Sequence, residues 1–524
     1  MSNRLFTLWF NLLGILCSFA YGSPSYGQTV VADETAGTLV SASAPFTVTG
    51  GNQQLTTLFH SFQEFSPDTI DVLFQLDGSQ GAVDVVISRV TGTNTSSIDA
   101  QLQLTGGNSP DFFLINPNGI QFGANASLLL PASFIASTAN SILFEDAQRF
   151  SANPATLVPI LTMSVPKGLQ FGSAPGTVLI DQSVLNVVPG SGFALIGGDV
   201  LLNGAQVSAS GGRLEIGSLG DNQTVKLLPS DFGWGLDYKN SNHFQDIQLA
   251  QQSLLNLSGS RGGELQMQAH NLSIKDGTGI ESFTAGALTG GEIALRASES
   301  ISFNGSTPDG RTPSYVNAVV LPRGTGDGGN ILIETPRLQA RDGAQIASIT
   351  VGDGDAGDLT VVAQEISASG NIPSRNSPTI FVTTALGNST GDGGNLNIRT
   401  DTLRLTEGAQ FGTGINGGQG NGGNLTVQAR QIELSGVSAS GFNPSGLFSS
   451  SEVNIIDGIV TGPIARGNGG QLTVETEQLT INNGATISSL TRGQGDAGNI
   501  RIVAQEIDVE GVQEALVPIR LNWK

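Results

Sequence analysis

Cysteine is almost absent from the sequence: Cys17 stands alone, inside the first apolar segment. A single thiol there leaves the body of the chain without disulfides, Cys-ligated metals or a thiol nucleophile, so stability must come from packing and backbone hydrogen bonds. Charge is scarce too. Asp, Glu, Lys and Arg make up 13% of the residues, about half the usual share. Acids outnumber bases 44 to 23, a net charge of −21, which disfavours nucleic acid and anionic lipid as partners and suits an exposed, soluble protein. The histidines are His60, His243 and His270, scattered along the chain, and give little support to a Ser-His-Asp triad or a histidine metal site. Amphipathic helix patterns are missing, apart from one turn's worth around Asp146 to Arg149. Beyond the N-terminal segment no apolar run is long enough to span a bilayer.

What is present begins with an export signal. Met1-Ser2-Asn3-Arg4 precedes an apolar run from Leu5 to Phe19, the charge-then-hydrophobic order of a signal peptide read by the Sec machinery. Asn11 and Ser18 interrupt this short run, which argues against a transmembrane helix. Cleavage is expected after Ala20-Tyr21-Gly22 or Ser25-Tyr26-Gly27, the second favoured because Gln28 opens the polar, strand-like body. Leu16 before Cys17 occupies the place where a lipoprotein signal carries a small residue, which argues against lipid anchoring.

The body reads as strands and turns. Glycine, at 71 residues, is about twice as frequent as usual, and 38% of residues are apolar, enough for a core. Leu201-Leu202-Asn203-Gly204-Ala205-Gln206-Val207-Ser208-Ala209-Ser210-Gly211-Gly212-Arg213-Leu214-Glu215-Ile216 alternates short period-2 strands with Gly, Asn and Ser turns. From about residue 262 the chain repeats. Strand-opening glycines pair as Gly263 and Gly291, Gly329 and Gly357, Gly394 and Gly423, Gly470 and Gly498, at spacings of 28, 28, 29 and 28. The intervening gaps of 38, 37 and 47 residues give a larger unit of 65 to 76. Gly329-Asn330-Ile331-Leu332-Ile333-Glu334-Thr335, Gly394-Asn395-Leu396-Asn397-Ile398-Arg399-Thr400 and Gly470-Gln471-Leu472-Thr473-Val474-Glu475-Thr476 align without adjustment. Each is followed by a second strand and then by Gly343-Ala344-Gln345-Ile346, Gly408-Ala409-Gln410-Phe411 or Gly484-Ala485-Thr486-Ile487.

Three strands per unit, repeated, predict an all-β solenoid: a right-handed parallel β-helix whose coils stack about 4.8 Å apart and bury their inward aliphatic residues in one column. Glycine fits the corners, where φ is positive or a side chain would collide. A propeller or sandwich is disfavoured by the lack of blade signatures, of a 40 to 45-residue period and of Asn-Gly hairpins. Ser306 to Pro322 and Gly436 to Pro463 break the rhythm and are expected to project as loops where binding could reside.

Residues from about Gln28 to Gly220 carry a series of ordered landmarks. They are Leu58-Phe59-His60-Ser61-Phe62, Ser88-Arg89-Val90-Thr91-Gly92, Asp111-Phe112-Phe113-Leu114-Ile115-Asn116-Pro117-Asn118-Gly119-Ile120-Gln121-Phe122-Gly123, Phe134-Ile135-Ala136-Ser137-Thr138-Ala139-Asn140 and Ser164-Val165-Pro166-Lys167-Gly168-Leu169-Gln170-Phe171-Gly172. In this order the segment resembles the N-terminal secretion domain of filamentous haemagglutinin-like proteins, the exported members of two-partner secretion systems. On its own Asn116-Pro117-Asn118-Gly119 reads as a turn between an apolar run and a new strand at Ile120, with Pro117 presetting φ and Gly119 accepting a positive value. The resemblance implies more: Asn116, Pro117, Asn118, Gly119 and Ile120 serve correct folding or recognition during export. Where some members carry a second Asn-Pro-Asn-Leu element, this chain has Asn153-Pro154-Ala155-Thr156-Leu157.

The domain layout expected is a signal peptide at 1–27, a secretion domain at 28–220, a connecting segment at 221–261, β-helix repeats at 262–511 and a tail at 512–524. The resemblance implies a secreted or cell-surface protein of a Gram-negative-type bacterium, passed unfolded through a cognate outer-membrane β-barrel transporter, with folding outside driving transit. An adhesin or structural role follows, with a carbohydrate or other cell-surface ligand. The competing reading is a secreted β-helix polysaccharide lyase or hydrolase. It needs paired carboxylates, or calcium-binding acids beside a base, on one face. Asp353 and Asp355 are the candidates, but the similar corners Gly391-Asp392-Gly393 and Gly495-Asp496 point to repeat turns. No calcium nonapeptide or phosphate loop is present. The expectation is a non-enzyme without cofactor, catalytic residue or metal site.

Overall fold

The computed structural model describes residues 29–76, 78, 81–153, 165–456 and 459–511. The signal segment 1–27 with Cys17, the tail 512–524 and most of the Asn153-Pro154-Ala155-Thr156-Leu157 element lie outside them. Among the described residues there are strands and turns and no helix.

Strands from successive passes of the chain lie side by side and parallel. One face stacks Thr57–Ser66, Val85–Val90, Asp111–Ile115, Phe134–Ser137, Gly192–Gly197, Arg213–Ser218 and Glu264–Lys275 in that order. A second stacks Ser96–Ile98, Ile120–Phe122, Val178–Asp181, Val200–Asn203 and Ile247–Ala250. A third runs through Val184–Asn186, Gln206–Ser208, Leu254–Asn256 and Gly279–Thr284. The three faces enclose one hydrophobic column, so the chain is a parallel β-helix. Its repeats keep strict register: Leu265, Ile293, Ile331, Leu359, Leu396, Leu425, Leu472 and Ile500 form one aliphatic ladder. Alternation puts every second side chain inside, and each buried aliphatic contributes roughly 1.5–3 kcal/mol.

In the repeats the first two strands of each coil merge into one bent strand of 11 or 12 residues. Glu264–Lys275 shows why: its start continues the Arg213–Ser218 ladder and its end continues the Ile247–Ala250 ladder, with a register shift between Ala269 and Asn271.

One coil takes about 28 residues, and the longer spacings are coils that carry an inserted hairpin. Two of these hairpins fall where loops were expected, closed by the bridges Ser306 to Pro313 and Val437 to Pro444. The first is narrower than the sequence suggested, because Tyr315–Val320 is an ordinary third-face strand; in the second the start of Gly446–Ile456 is such a strand too, and its end folds back antiparallel on Ile459–Ile464 as a further hairpin. Another, unforeseen, pairs Asn371–Ile372 with Ser377–Pro378. The larger unit is thus a plain coil followed by a hairpin-bearing one. Neighbouring hairpins touch across the plain coil: Ser374 Oγ donates to Gly310 O at 3.3 Å, and Asn443 Nδ2 to Asn376 O at 3.0 Å.

The strand-opening glycines owe their place to collision. A Cβ on Gly394 would stand 2.0 Å from Gly357 O, and one on Gly470 1.9 Å from Gly423 O. The corners of adjacent coils touch backbone to backbone.

The N-terminal coils carry a second layer. Antiparallel strands Ser141–Phe144, Arg149–Ser151, Pro166–Gln170, Thr224–Ser230 and Gly233–Asp237 form a sheet over the outer side of the first face. A separate core of Phe59, Ile87, Phe113, Ile135, Ile142, Phe150, Leu169 and Trp234 fills the space between. This explains the unbroken apolar run at Phe112-Phe113-Leu114-Ile115: both faces of that strand are buried. The Asp146 to Arg149 stretch is a hairpin turn in this sheet, with Ala147 N donating to Phe144 O at 3.1 Å. At the N-terminal end Thr29–Ala32 lies antiparallel on Thr57–Ser66.

Candidate secretion site

Asp111–Ile115 ends where Asn116 turns the chain from the first face to the second. Asn116 is fully buried, and all of its polar atoms are used. Its Nδ2 donates to Asn94 O at 3.0 Å and Ser96 Oγ at 2.9 Å in the preceding coil. Its Oδ1 accepts from Asn118 N and Asn118 Nδ2, both at 3.0 Å, a side-chain-capped turn of the kind Asn favours. Its backbone N–H reaches forward to Ser137 O at 3.0 Å.

The rest of the motif is held the same way. Pro117 O accepts Gly176 N at 3.0 Å, and Gly119 N donates to Asn116 O at 3.1 Å. Gly119 has φ 123°, which a side chain disfavours. Asn118 is exposed at one edge, yet its Nδ2 also donates to Gly92 O at 2.8 Å. Ile120 enters the core between Ser96 and Val178. All five residues therefore form one corner clamped to the coils on both sides.

The other landmarks converge on a second buried centre. Arg89 is only 1% exposed. Its Nε donates to Ser61 Oγ at 2.7 Å, Nη2 to Thr35 Oγ1 at 2.9 Å and Nη1 to Ser151 O, and the guanidinium lies 4.3 Å from the Phe150 ring centre. Asp33 accepts from Ser61 Oγ at 2.6 Å, Thr35 Oγ1 at 2.7 Å and Thr91 Oγ1 at 2.8 Å. Burial pulls the Arg89 guanidinium down to about 10, with Asp33 opposing. For Asp33 burial acts upward, but the hydrogen bonds from Ser61, Thr35 and Thr91 outweigh it and hold the carboxyl below its ordinary range. Both groups are charged at neutral pH and are bridged by hydroxyls. A Cβ on Gly92 would come within 2.1 Å of Gln63 O, so that landmark glycine is a close approach.

Two further titratable groups are buried, His60 beside this centre and Glu215 several coils further along. His60 meets Thr38 Oγ1 through Nδ1 at 3.3 Å and packs 5.6 Å from the Phe74 ring, and burial pushes it down to about 3. It is a neutral packing residue. Glu215, under the second layer, binds Arg213 Nε at 2.6 Å. Burial raises it to about 7, against the pull of Arg213.

The acidic corners of the repeats serve the backbone. Asp327 Oδ1 accepts Asp355 N at 3.0 Å, Asp355 Oδ1 accepts Asp392 N at 2.7 Å, and Asp392 Oδ1 accepts Asn421 N at 2.6 Å. Asp353 Oδ1 accepts Thr390 Oγ1 at 2.7 Å. Each carboxylate satisfies the next coil's turn. His243 and His270 pair locally with Asp221 and Ser298.

Sequence reasoning named the turn and the landmarks but missed Asp33, Thr35, Ser151 and Trp234, whose Nε1 donates to Asp111 Oδ2 at 2.9 Å. The one signal available was Arg89, a charge inside the apolar run Val85-Val86-Ile87-Ser88-Arg89-Val90.

Residues 28–267 match the family model described as "TPS secretion domain". No curated protein matches the chain. Among solved structures it is similar to the HMW1 secretion domain from Haemophilus influenzae, at 14% identity, covering 92% of this chain and 99% of that one, with a TM-score of 0.39.

Proposed function

Through residues 28–267 the chain belongs to the two-partner secretion (TPS) domain family and is a two-partner secretion exoprotein, and we propose that it leaves the cell through its own outer-membrane β-barrel transporter and acts as an adhesin or structural protein. Proteins of this family are secreted by Gram-negative bacteria with a partner transporter. Here the Sec machinery delivers the chain through its N-terminal apolar segment, and the five-residue corner Asn116 to Ile120 is its secretion motif.

The observation that carries this reading is the placement of Asn116. It is the point where three consecutive coils are fastened: Asn94 and Ser96 behind, Ser137 ahead. A chain that emerges unfolded needs a first coil stack that closes early, because each finished coil offers its open edge as template for the next. The buried Arg89, linked through hydroxyls to the half-buried Asp33, and the covering antiparallel sheet give those first coils tertiary closure of their own.

The repeats beyond them present a long, regular surface suited to contact rather than to chemistry. Their corner acids are spent on turn hydrogen bonds, and the protein acts without an enzymatic step. The test is export: the chain is expressed with and without its transporter, and its amount in the medium is measured for wild type, Asn116→Ala and Asn118→Ala. Transporter-dependent release, reduced in Asn116→Ala, is expected; equal release without the transporter would overturn the reading.

A further inference from the structure

On the third face of the repeats one strand lacks its two middle outward side chains. The strand Gln410–Asn416 keeps Phe411, Thr413 and Ile415 inside, so the intervening Gly412 and Gly414 point outward. They are paired with Val382 and Thr384 on one side and Phe448 and Ser450 on the other. Neighbouring coils have side chains in these rows, such as Ala347 and Ile349 one coil further back. The two glycines therefore form the floor of a cleft of about 360 Å³.

The walls have distinct chemistry. Val382 and the half-buried Phe448 ring supply apolar surface, and Thr384 and Ser450 supply hydroxyls. Glu452 closes one end, its carboxylate 3.5 Å from Arg492 Nη1 and itself partly open to solvent. Beyond Glu452 the same strand continues into the antiparallel pairing with Ile459–Ile464.

From this arrangement we propose that the cleft is a subsite for one pyranose ring of a neutral glycan. An aromatic ring offers the apolar face that a sugar's C–H face covers, while hydroxyls and a carboxylate match its rim of hydroxyl groups. Charge selects against acidic sugars: the carboxylate stands at the rim of a chain of net charge −21, and the nearby cation Arg492 is already paired with it. The inference rests on the reading of the chain as a surface or released exoprotein and adds the ligand class and its location.

The test is saturation-transfer NMR on the purified full chain with cellohexaose, mannohexaose and, as the acidic arm, sialyllactose. Transfer to at least one neutral hexaose is expected, weakened at least tenfold by Phe448→Ala and by Gly412→Val, with Phe442→Ala on a distant hairpin tip unchanged. Thermal melts of each variant separate loss of fold from loss of contact, and Thr384→Ala gives a milder second variant. Absence of transfer to both neutral hexaoses, stronger transfer to sialyllactose, or wild-type binding by Phe448→Ala would each overturn the proposal. In the last case Phe448 merely covers Gly412. Export is measured separately in the medium, so failure of the exoprotein reading is distinguishable from failure of the cleft.

Discussion

Asn116 and Ser96 stand on successive coils, the carboxamide of one donating to the hydroxyl of the other at 2.9 Å, with both side chains shut away from solvent. A buried contact of this kind costs far more to break than it contributes in net terms, because the remaining partners are left unsatisfied. Asn116→Ala is expected to destabilise the isolated chain by about 2–4 kcal/mol and Ser96→Ala by about 1 kcal/mol, with the double variant less than additive. Urea melts of the three variants measure this. If Asn116→Ala keeps wild-type stability and still loses export, the motif acts in recognition instead of folding.

Arg89 makes a sharper prediction. Its fork reaches three separate oxygens, so Arg89→Met leaves Ser61 Oγ, Ser151 O and Thr35 Oγ1 without that donor and is expected to cost about 2–4 kcal/mol. Arg89→Lys should recover little, since a single ammonium cannot span the same geometry. Secreted yield and the urea midpoint should fall together for both.

The corner glycines can be sorted by cause. Gly394→Ala drives a methyl to 2.0 Å from Gly357 O, whereas at Gly305, with φ 70°, the added methyl would meet no atom within 4 Å. Gly305→Ala is therefore expected to cost only the left-handed penalty of about 1–2 kcal/mol, and Gly394→Ala clearly more, read from melting temperatures of matched variants.

The pH dependence has two opposed parts. His60 is neutral in the fold down to about pH 3 but protonates near 6.5 when unfolded. Its contribution is full above pH 6.5 and is lost as pH falls from there towards 3. Glu215, raised to about 7 from 4.5, behaves oppositely: its contribution is full below 4.5 and is lost as pH rises towards 7. Between about pH 4.5 and 6.5 the two slopes oppose each other in the wild type, so melts from pH 4 to 8 should show, relative to wild type, stability falling with rising pH across that window for His60→Gln and rising for Glu215→Gln. Parallel curves for wild type and both variants would refute the assignment.

The sequence by itself determined the solenoid. Local rules suffice there, because period-2 alternation, a recurring coil length and corner glycines repeat, and the strands of each coil pair only with those of the coils next to it. The Asn116 to Ile120 turn was legible for the same reason, being built from residues adjacent in sequence. Other features were decided only by tertiary structure. Phe112 and Phe113 look alike in sequence, yet the first joins the column inside the β-helix and the second the core beneath the covering sheet. Asp33 meets Ser61 and Thr91 across 28 and 58 residues, and Gly412 opens a cleft only because Phe448 stands beside it on the next coil. Such contacts depend on register between distant segments, and register is set by the packed column as a whole.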